Sequence, residues 1–221
     1  MDTKMPNHIT NKIKAPSAVI VALLNDEGAV DFNKVIAFTG EFEWDGVSLH
    51  AEQMADIVTG KELDSNPLIA SLEAHNRSRA NIKEMNDECF EQFVQMLRNY
   101  RKCGFFHNMD FARQAWGTKW NAYSQDVDVD AGTAKFDTAW SCPRPVFIAL
   151  SKLFPEAEIE VQFADEDLGS NCGQFTLKAG EVTANDIAPR WGSQTDEQKV
   201  KWRAYAIEVK GWDPKDFEDE E

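Results

Sequence analysis

The sequence predicts an α+β fold: an antiparallel sheet covered by helices on one face, with a helical insertion at about 48–104 and a C-terminal helix. Three observations carry this expectation. Hydrophobic spacing is near 3.6 residues through much of 48–104 and changes to 2 from Lys119 onward. Residues 120–182 then read as hairpin, helix, hairpin, an order that lays a sheet under helices. Thr195 and Gln198 have the spacing of a capping box ahead of a helix running to about Val209.

Taken in order, residues 7–14 (NHITNKIK) place Ile9 and Ile13 on one side of a short strand, and Pro16 breaks it. The apolar run 18–24 (AVIVALL) has the β-branched content of a strand, but Ser17 before it and Gly28 after it favour a helix. Residues 30–39 are mixed and read as extended. In 40–46, Phe42 and Trp44 alternate with Glu41, Glu43 and Asp45, as in a loop or an edge strand. Leu49, Met54, Ile57 and Val58 have helical spacing, and Asp64 or Ser65 can cap a second piece ending near His75. The strongest helix spans 81–103, where Ile82, Met85, Cys89, Phe93, Met96, Leu97 and Tyr100 form a stripe. Arg98, Arg101 and Lys102 suit the negative end of its dipole, and Gly104 ends it. Asp110 can cap a short helix over 111–116.

In the β-rich part, Val127 and Val129 alternate with Asp126, Asp128 and Asp130, and Ala131-Gly132 is a turn signal. Phe136 and Trp140 then alternate with Lys135 and Asp137. Pro143 and Pro145 open a helix with Val146, Phe147, Leu150 and Leu153 on its apolar face, and Pro155 stops it. Ile159, Val161 and Phe163 alternate with Glu158, Glu160 and Gln162; residues 165–173 form a polar turn and 174–178 the return strand. The expected division is one domain over 1–182 and a helical extension over 183–221 that ends in an acidic tail.

Composition excludes several classes of function. The chain has 221 residues, 38 acidic against 23 basic, a net charge of −15 and a hydrophobic fraction of 43%, enough for a core. Such a surface repels phosphate, so direct nucleic-acid binding and anionic membrane surfaces are not expected. No apolar run approaches the roughly 20 residues of a bilayer span, and the polar N-terminus has no signal-peptide core, which points to the cytoplasm. The four cysteines, Cys89, Cys103, Cys142 and Cys172, form no CxxC pair, and reduced, buried thiols are the expectation. Cys103 and His107 stand four apart but no second ligand pair follows, so no metal and no cofactor is expected. The phosphate loop, the dinucleotide fingerprint, GxSxG and HExxH are all missing, and an enzyme is not expected.

The charge is uneven: residues 1–105 carry −5 and residues 106–221 carry −10. Period 2 puts Asp126, Asp128 and Asp130 on one side of a strand and Glu158 and Glu160 on one side of another, facing away from the helices. Two readings compete. In one, acids merely solvate an open sheet face, with Lys135 and Lys178 pairing across strands. In the other, the acids, joined by Asp165, Glu166 and Asp167 in the following turn, imitate the phosphate array of a duplex and occupy a partner's basic groove. Trp116, Trp120, Trp140, Trp191, Trp202 and Trp212 read first as packing residues, since a stacking sheet of the RNA-recognition type needs basic residues around its aromatics and this one has acids.

The segments Trp116-Gly117-Thr118-Lys119-Trp120-Asn121 and Phe136-Asp137-Thr138-Ala139-Trp140-Ser141, the proline-started helix and residues 160–173 together resemble the YubB ferredoxin-like (Api92-like) family of phage and plasmid proteins. Asn7 and Asn11 match asparagines of that family's first strand. The resemblance covers residues 5–40 and 105–182, and departs at His8-Ile9, often Trp-Cys in the family, and at Cys142, often Pro. It implies a ferredoxin-like α+β core and a mobile-element origin, and brings no catalytic residues. The expected function is a non-enzymatic accessory protein that binds a host protein with a basic nucleic-acid-binding surface and so inhibits a defence or DNA-processing complex. The alternatives are a small-molecule or nucleotide binder or enzyme using a pocket between the sheet and the inserted helices, walled by Trp120, Trp140 and His107, and a structural subunit of a virion or an assembly factor.

Overall fold

The computed structural model describes residues 7–217. The first six residues, and the last four of the expected acidic tail, lie outside the described residues. The chain divides into two compact units, one formed by residues up to 37 and from 112 onward, the other by 38–111.

The first unit is built on a six-stranded antiparallel sheet. β1 (His8–Lys14) is followed by α1 (Ser17–Ala22). β2 (Tyr123–Asp128) and β3 (Thr133–Ala139) form a hairpin, α6 (Arg144–Leu153) crosses back, and β4 (Glu158–Ala164), β5 (Gly173–Lys178) and β6 (Glu181–Ile187) form a meander. The strand order is β2-β3-β1-β4-β5-β6. The first four strands with α1 and α6 give the β-α-β-β-α-β succession of a ferredoxin-like fold, extended by β5 and β6 beyond β4.

Period 2 decides which side each residue faces. Ile9, Asn11 and Ile13 pair with Thr138, Phe136 and Ala134 on β3, and Asn11 and Ile13 with Phe163 and Val161 on β4. That side is the core: Ile9, Ile13, Phe136, Ile159, Val161 and Leu177 are all essentially solvent-free. Phe147 of α6 packs between Phe136 of β3 and Phe175 of β5, at ring distances of 6.2 and 6.3 Å. Burying such rings contributes most of the energy that holds helix to sheet. Asn11 is the polar exception in this core; its amide donates to Thr138 Oγ1 at 2.8 Å and to the Ile9 carbonyl at 3.0 Å.

Several local expectations need correction. Residues 30–39 hold a single 3-10 turn, Phe32–Lys34, capped by the Asp31 side chain, in place of an extended segment. Residues 40–46 form a loop, the first of the two expected readings. The short helix expected over 111–116 is split into α5 (Asn108–Phe111) and one π-turn (Ala112–Trp116). A boundary at 182/183 falls inside β6, which belongs to the sheet.

The second unit is helical. α2 (Leu49–Thr59) and α4 (Asp87–Cys103) pack through Ala51, Ala55, Cys89, Phe93 and Met96 together with Phe106, while α3 (Pro67–Ser78) has no buried residue. Asn66 caps α3 in place of Asp64 or Ser65, and Asn86 starts α4 five residues later than expected, after a 3-10 turn at Ile82–Glu84.

Candidate partner-binding face and an indole-cation corner

The opposite side of the sheet carries His8, Thr10, Lys12 and Lys14 from β1, so Asp126, Glu158 and Glu160 each stand opposite a lysine. Asp126 of β2 stands opposite Lys135 of β3, and Lys135 opposite Lys12. Lys14 stands opposite Glu160 of β4, and Glu158 opposite Lys178 of β5. Lys135 and Lys178 thus do occupy cross-strand positions beside acids. Asp126, Asp128, Glu158 and Glu160 are exposed, and Asp130 is exposed in the turn after β2. The acids form two stripes, one on the β2 edge and one on β4, with lysines on the strands between. With neighbouring strands about 4.8 Å apart, the stripes are roughly 14 Å from each other. This face is not the unbroken anionic array that imitates a duplex, because Lys12, Lys14 and Lys135 interrupt it.

A second correction concerns what covers this side. The C-terminal helix α7 (Asp196–Lys210) lies across it, capped by the reciprocal Thr195–Gln198 box. Its C-terminal carbonyls carry the negative end of the helix dipole, and sheet lysines meet them. Lys12 Nζ donates to the Glu208 carbonyl at 3.3 Å and Lys135 Nζ to the Lys210 carbonyl at 3.0 Å. Lys210 returns the contact, donating to the His8 carbonyl at 3.1 Å and to Thr10 Oγ1 at 3.4 Å. Burial lowers the Lys210 ammonium from its ordinary value, while Asp137, Glu166 and Asp165 act against that shift. Burial also lowers Lys12, helped by the neighbouring charge of Lys135. Under the helix, Trp202, Ala206 and Val209 pack on Ala164 and Cys172. The part of the face that α7 leaves open is a groove of about 340 Å³ lined by Lys12, Lys14, Asp126, Asp128, Lys135 and Glu160 among others.

The three acids of the turn after β4 separate. Asp165 is 5% exposed and accepts from Asn7 Nδ2 at 3.0 Å, Asn171 Nδ2 at 2.9 Å and the Asp167 amide at 3.1 Å. It is a loop-holding residue and cannot meet a partner. Glu166 and Asp167 are exposed, and Asp167 also accepts from Asn7 Nδ2 at 2.7 Å. Asn7 therefore ties the first strand to this turn.

The loops flanking the β2–β3 hairpin build a different corner. Trp120 and Trp140 are 37% and 47% exposed. The Lys119 ammonium sits 4.6 Å from the Trp120 ring centre and 5.0 Å from that of Trp140, and the Arg113 guanidinium 6.0 Å from the Trp140 ring. Next to it the Tyr123 hydroxyl and His8 Nδ1 share a 2.7 Å hydrogen bond. Burial, reinforced by the Asp137 and Glu166 charges, pushes the Tyr123 hydroxyl up to about 12. The expected pocket wall His107 belongs to the helical unit, where it is 1% exposed, lies 3.4 Å from Glu52 Oε1 and accepts from the Asp110 amide. Among the described residues no group of three or more His, Cys, Asp or Glu side chains is placed to hold a metal ion, and no helix is long and apolar enough to cross a membrane. The lysine stripes and the Trp140 conformation were the signals sequence reading missed; the lysines alone were visible, at period 2 with Thr10.

Residues 119–207 match the model of the ferredoxin-like domain in Api92-like protein. The crystal structure of a protein api92 from Yersinia pseudotuberculosis, of family DUF1281, is similar over 83% of this chain and 98% of that chain, with 9% identity and a TM-score of 0.35. No curated protein matches the chain. The matched stretch holds β2 to β6, α6 and most of α7, so the likeness to the ferredoxin-like domain of Api92-like proteins is one of residues 119–207.

Proposed function

We propose that this is a non-enzymatic accessory protein of a phage or plasmid that binds a host protein through the open part of its sheet and so inhibits a defence or DNA-processing complex in the host cytoplasm. The observation that carries the reading is the pair of exposed acidic stripes, Asp126, Asp128 and Asp130 on the β2 side and Glu158 and Glu160 on β4, flanking a groove that α7 leaves uncovered. A net charge of −15 steers encounter with a basic surface. The intervening lysines narrow the partner further. It presents basic groups at the spacing of the stripes and acidic or neutral groups between them, a pattern that gives register as well as attraction. Glu166 and Asp167 extend the acidic rim beyond β4.

The test replaces Asp126, Asp128, Glu158 and Glu160 by Asn or Gln. Lysine reversal is unsuitable here, because it sets like charges opposite Lys135, Lys14 and Lys178 and destabilises the sheet. Affinity purification from host cells should recover a nucleic-acid-binding protein with the wild-type chain and not with the neutral variant. Equal recovery by both chains, at matched melting temperature, would remove the acidic stripes from the mechanism.

A further inference from the structure

We infer that the corner formed by Arg113, Lys119, Trp120 and Trp140 is a binding site for a single nucleotide, that is, a heteroaromatic ring carrying phosphate. The reading is independent of the acidic face. Its first support is construction. The loop before β2 and the loop after β3 are stapled together, Thr118 Oγ1 donating to the Ala139 carbonyl at 2.8 Å and the Ser141 hydroxyl to the Gly117 carbonyl, while Thr138 Oγ1 donates to the Ser141 carbonyl at 2.8 Å within the second loop. Trp140 is held from both sides, its amide donating to the Asn7 carbonyl at 2.9 Å and its carbonyl accepting from Asn171 Nδ2 at 3.1 Å. The Trp140 backbone is thus fixed in advance, which lowers the ordering cost of binding.

The second support is strain. Trp140 has φ +71°, a left-handed conformation disfavoured for a bulky side chain and ordinarily given to glycine. Such positions cluster where a side chain must be aimed. Here it aims an indole that remains 47% exposed.

The third support is charge. In a chain of net −15, Arg113 and Lys119 form no ion pair and no side-chain hydrogen bond with another described residue. Their contacts are indole faces, at 4.6 to 6.0 Å. Two uncompensated cations beside two exposed indoles offer what a nucleotide presents: a π-face for stacking and a phosphate for charge-assisted hydrogen bonds. A polynucleotide would bring many phosphates against the remaining acidic surface, so the site favours one nucleotide.

Isothermal titration of the full chain with ADP, adenosine, inorganic phosphate and a (dA)6 oligonucleotide tests this. ADP should bind, with adenosine and phosphate each about tenfold weaker or more, and (dA)6 no tighter than ADP. Arg113→Ala with Lys119→Ala should weaken ADP about tenfold while leaving adenosine unchanged. Trp140→Gly should weaken both ADP and adenosine without lowering the melting temperature, because glycine accepts the left-handed backbone. Absence of ADP binding at millimolar concentration, or an ADP affinity unaltered in the double alanine variant, would overturn the proposal. Tighter binding of (dA)6 would replace the single nucleotide by a strand.

Discussion

Asp165 and Asp167 are two positions apart and chemically identical, yet only the first is buried. The reason is distant in sequence: its acceptor atoms are claimed by Asn7, at the start of β1, and by Asn171, at the far end of the same turn. A polar turn over 165–173 is legible from composition, but nothing local says which carboxylate points inward. Removing Asp165 leaves three donors without their acceptor, at a cost of about 2–3 kcal/mol. Asp165→Ala should therefore melt about 5–10 °C below the wild type, at roughly 2–4 °C per kcal/mol for a chain of this size. Glu166→Ala, at an exposed site, should change little. Equal melting temperatures for the two variants in a calorimeter would show that Asp165 does not hold the turn. Trp140 teaches a similar lesson. Alternation groups it with Phe136, but its positive φ turns it away from that pattern, and backbone strain leaves no mark on hydropathy.

At the scale of elements, β1 to β5 were legible because each alternates apolar with polar residues or is bounded by a turn signal. β6 (EVTANDI) was not, since all seven residues are exposed and its place is set by backbone pairing to β5 and by the Asp186–Lys201 ion pair with α7. Edge strands of this kind bury nothing that a period can reveal. The helix α7 was legible from its capping box and from Trp202, Tyr205 and Ala206, but the side it docks on was not. That choice follows from Lys12 and Lys135 reaching its last carbonyls, contacts that span 196 and 75 residues of sequence. Cys172 lies in the contact between α7 and the sheet, with its thiol pushed up to about 12 by burial and then by the Asp165 charge. In the unfolded chain the thiol ionises near pH 8.5. Its contribution is therefore complete below that pH and is lost between about 8.5 and 12, at about 1.4 kcal/mol per pH unit. Tyr123, raised by burial in the same direction, adds a loss from about pH 10 upward. Lys12 and Lys210, both lowered by burial, give the opposite slope just below their ordinary value of 10.5. Thermal melts of the wild type and Cys172→Ala from pH 8 to 10 separate this thiol from that of Cys142, which burial also raises and which both chains keep. The wild type should lose stability steeply across that window and Cys172→Ala should lose it more gently; parallel curves would exclude the thiol as the cause.

For the whole molecule, the informative feature is where the helical unit is inserted. Helical spacing marked 48–104, whereas the compact unit runs over 38–111. The difference is made by Asn99 of α4, a buried side chain that accepts from the Glu41 amide and donates to the Glu41 and Phe106 carbonyls. One polar residue thus satisfies backbone on both sides of the helices and draws the flanking loops into the unit, which no hydrophobic pattern announces. In the sheet unit, the two chain ends left by the insertion are held together. Trp116 Nε1 donates to the Ile36 carbonyl at 2.8 Å, and its ring meets Phe32 edge-on at 5.5 Å. Ends already adjacent cost little to join, because closing a short loop between them removes little chain entropy. A chain in which a short Gly-Ser linker replaces 38–111 should therefore fold, with a β-rich circular dichroism spectrum and a single cooperative melt. Every residue of the two acidic stripes and of the indole-cation corner lies in the part that remains, so the excised chain should also keep the partner recovery and the ADP affinity of the full protein. Retained folding with both activities lost would assign binding to the helical unit, and a non-cooperative melt would show that the sheet depends on the insertion for its core.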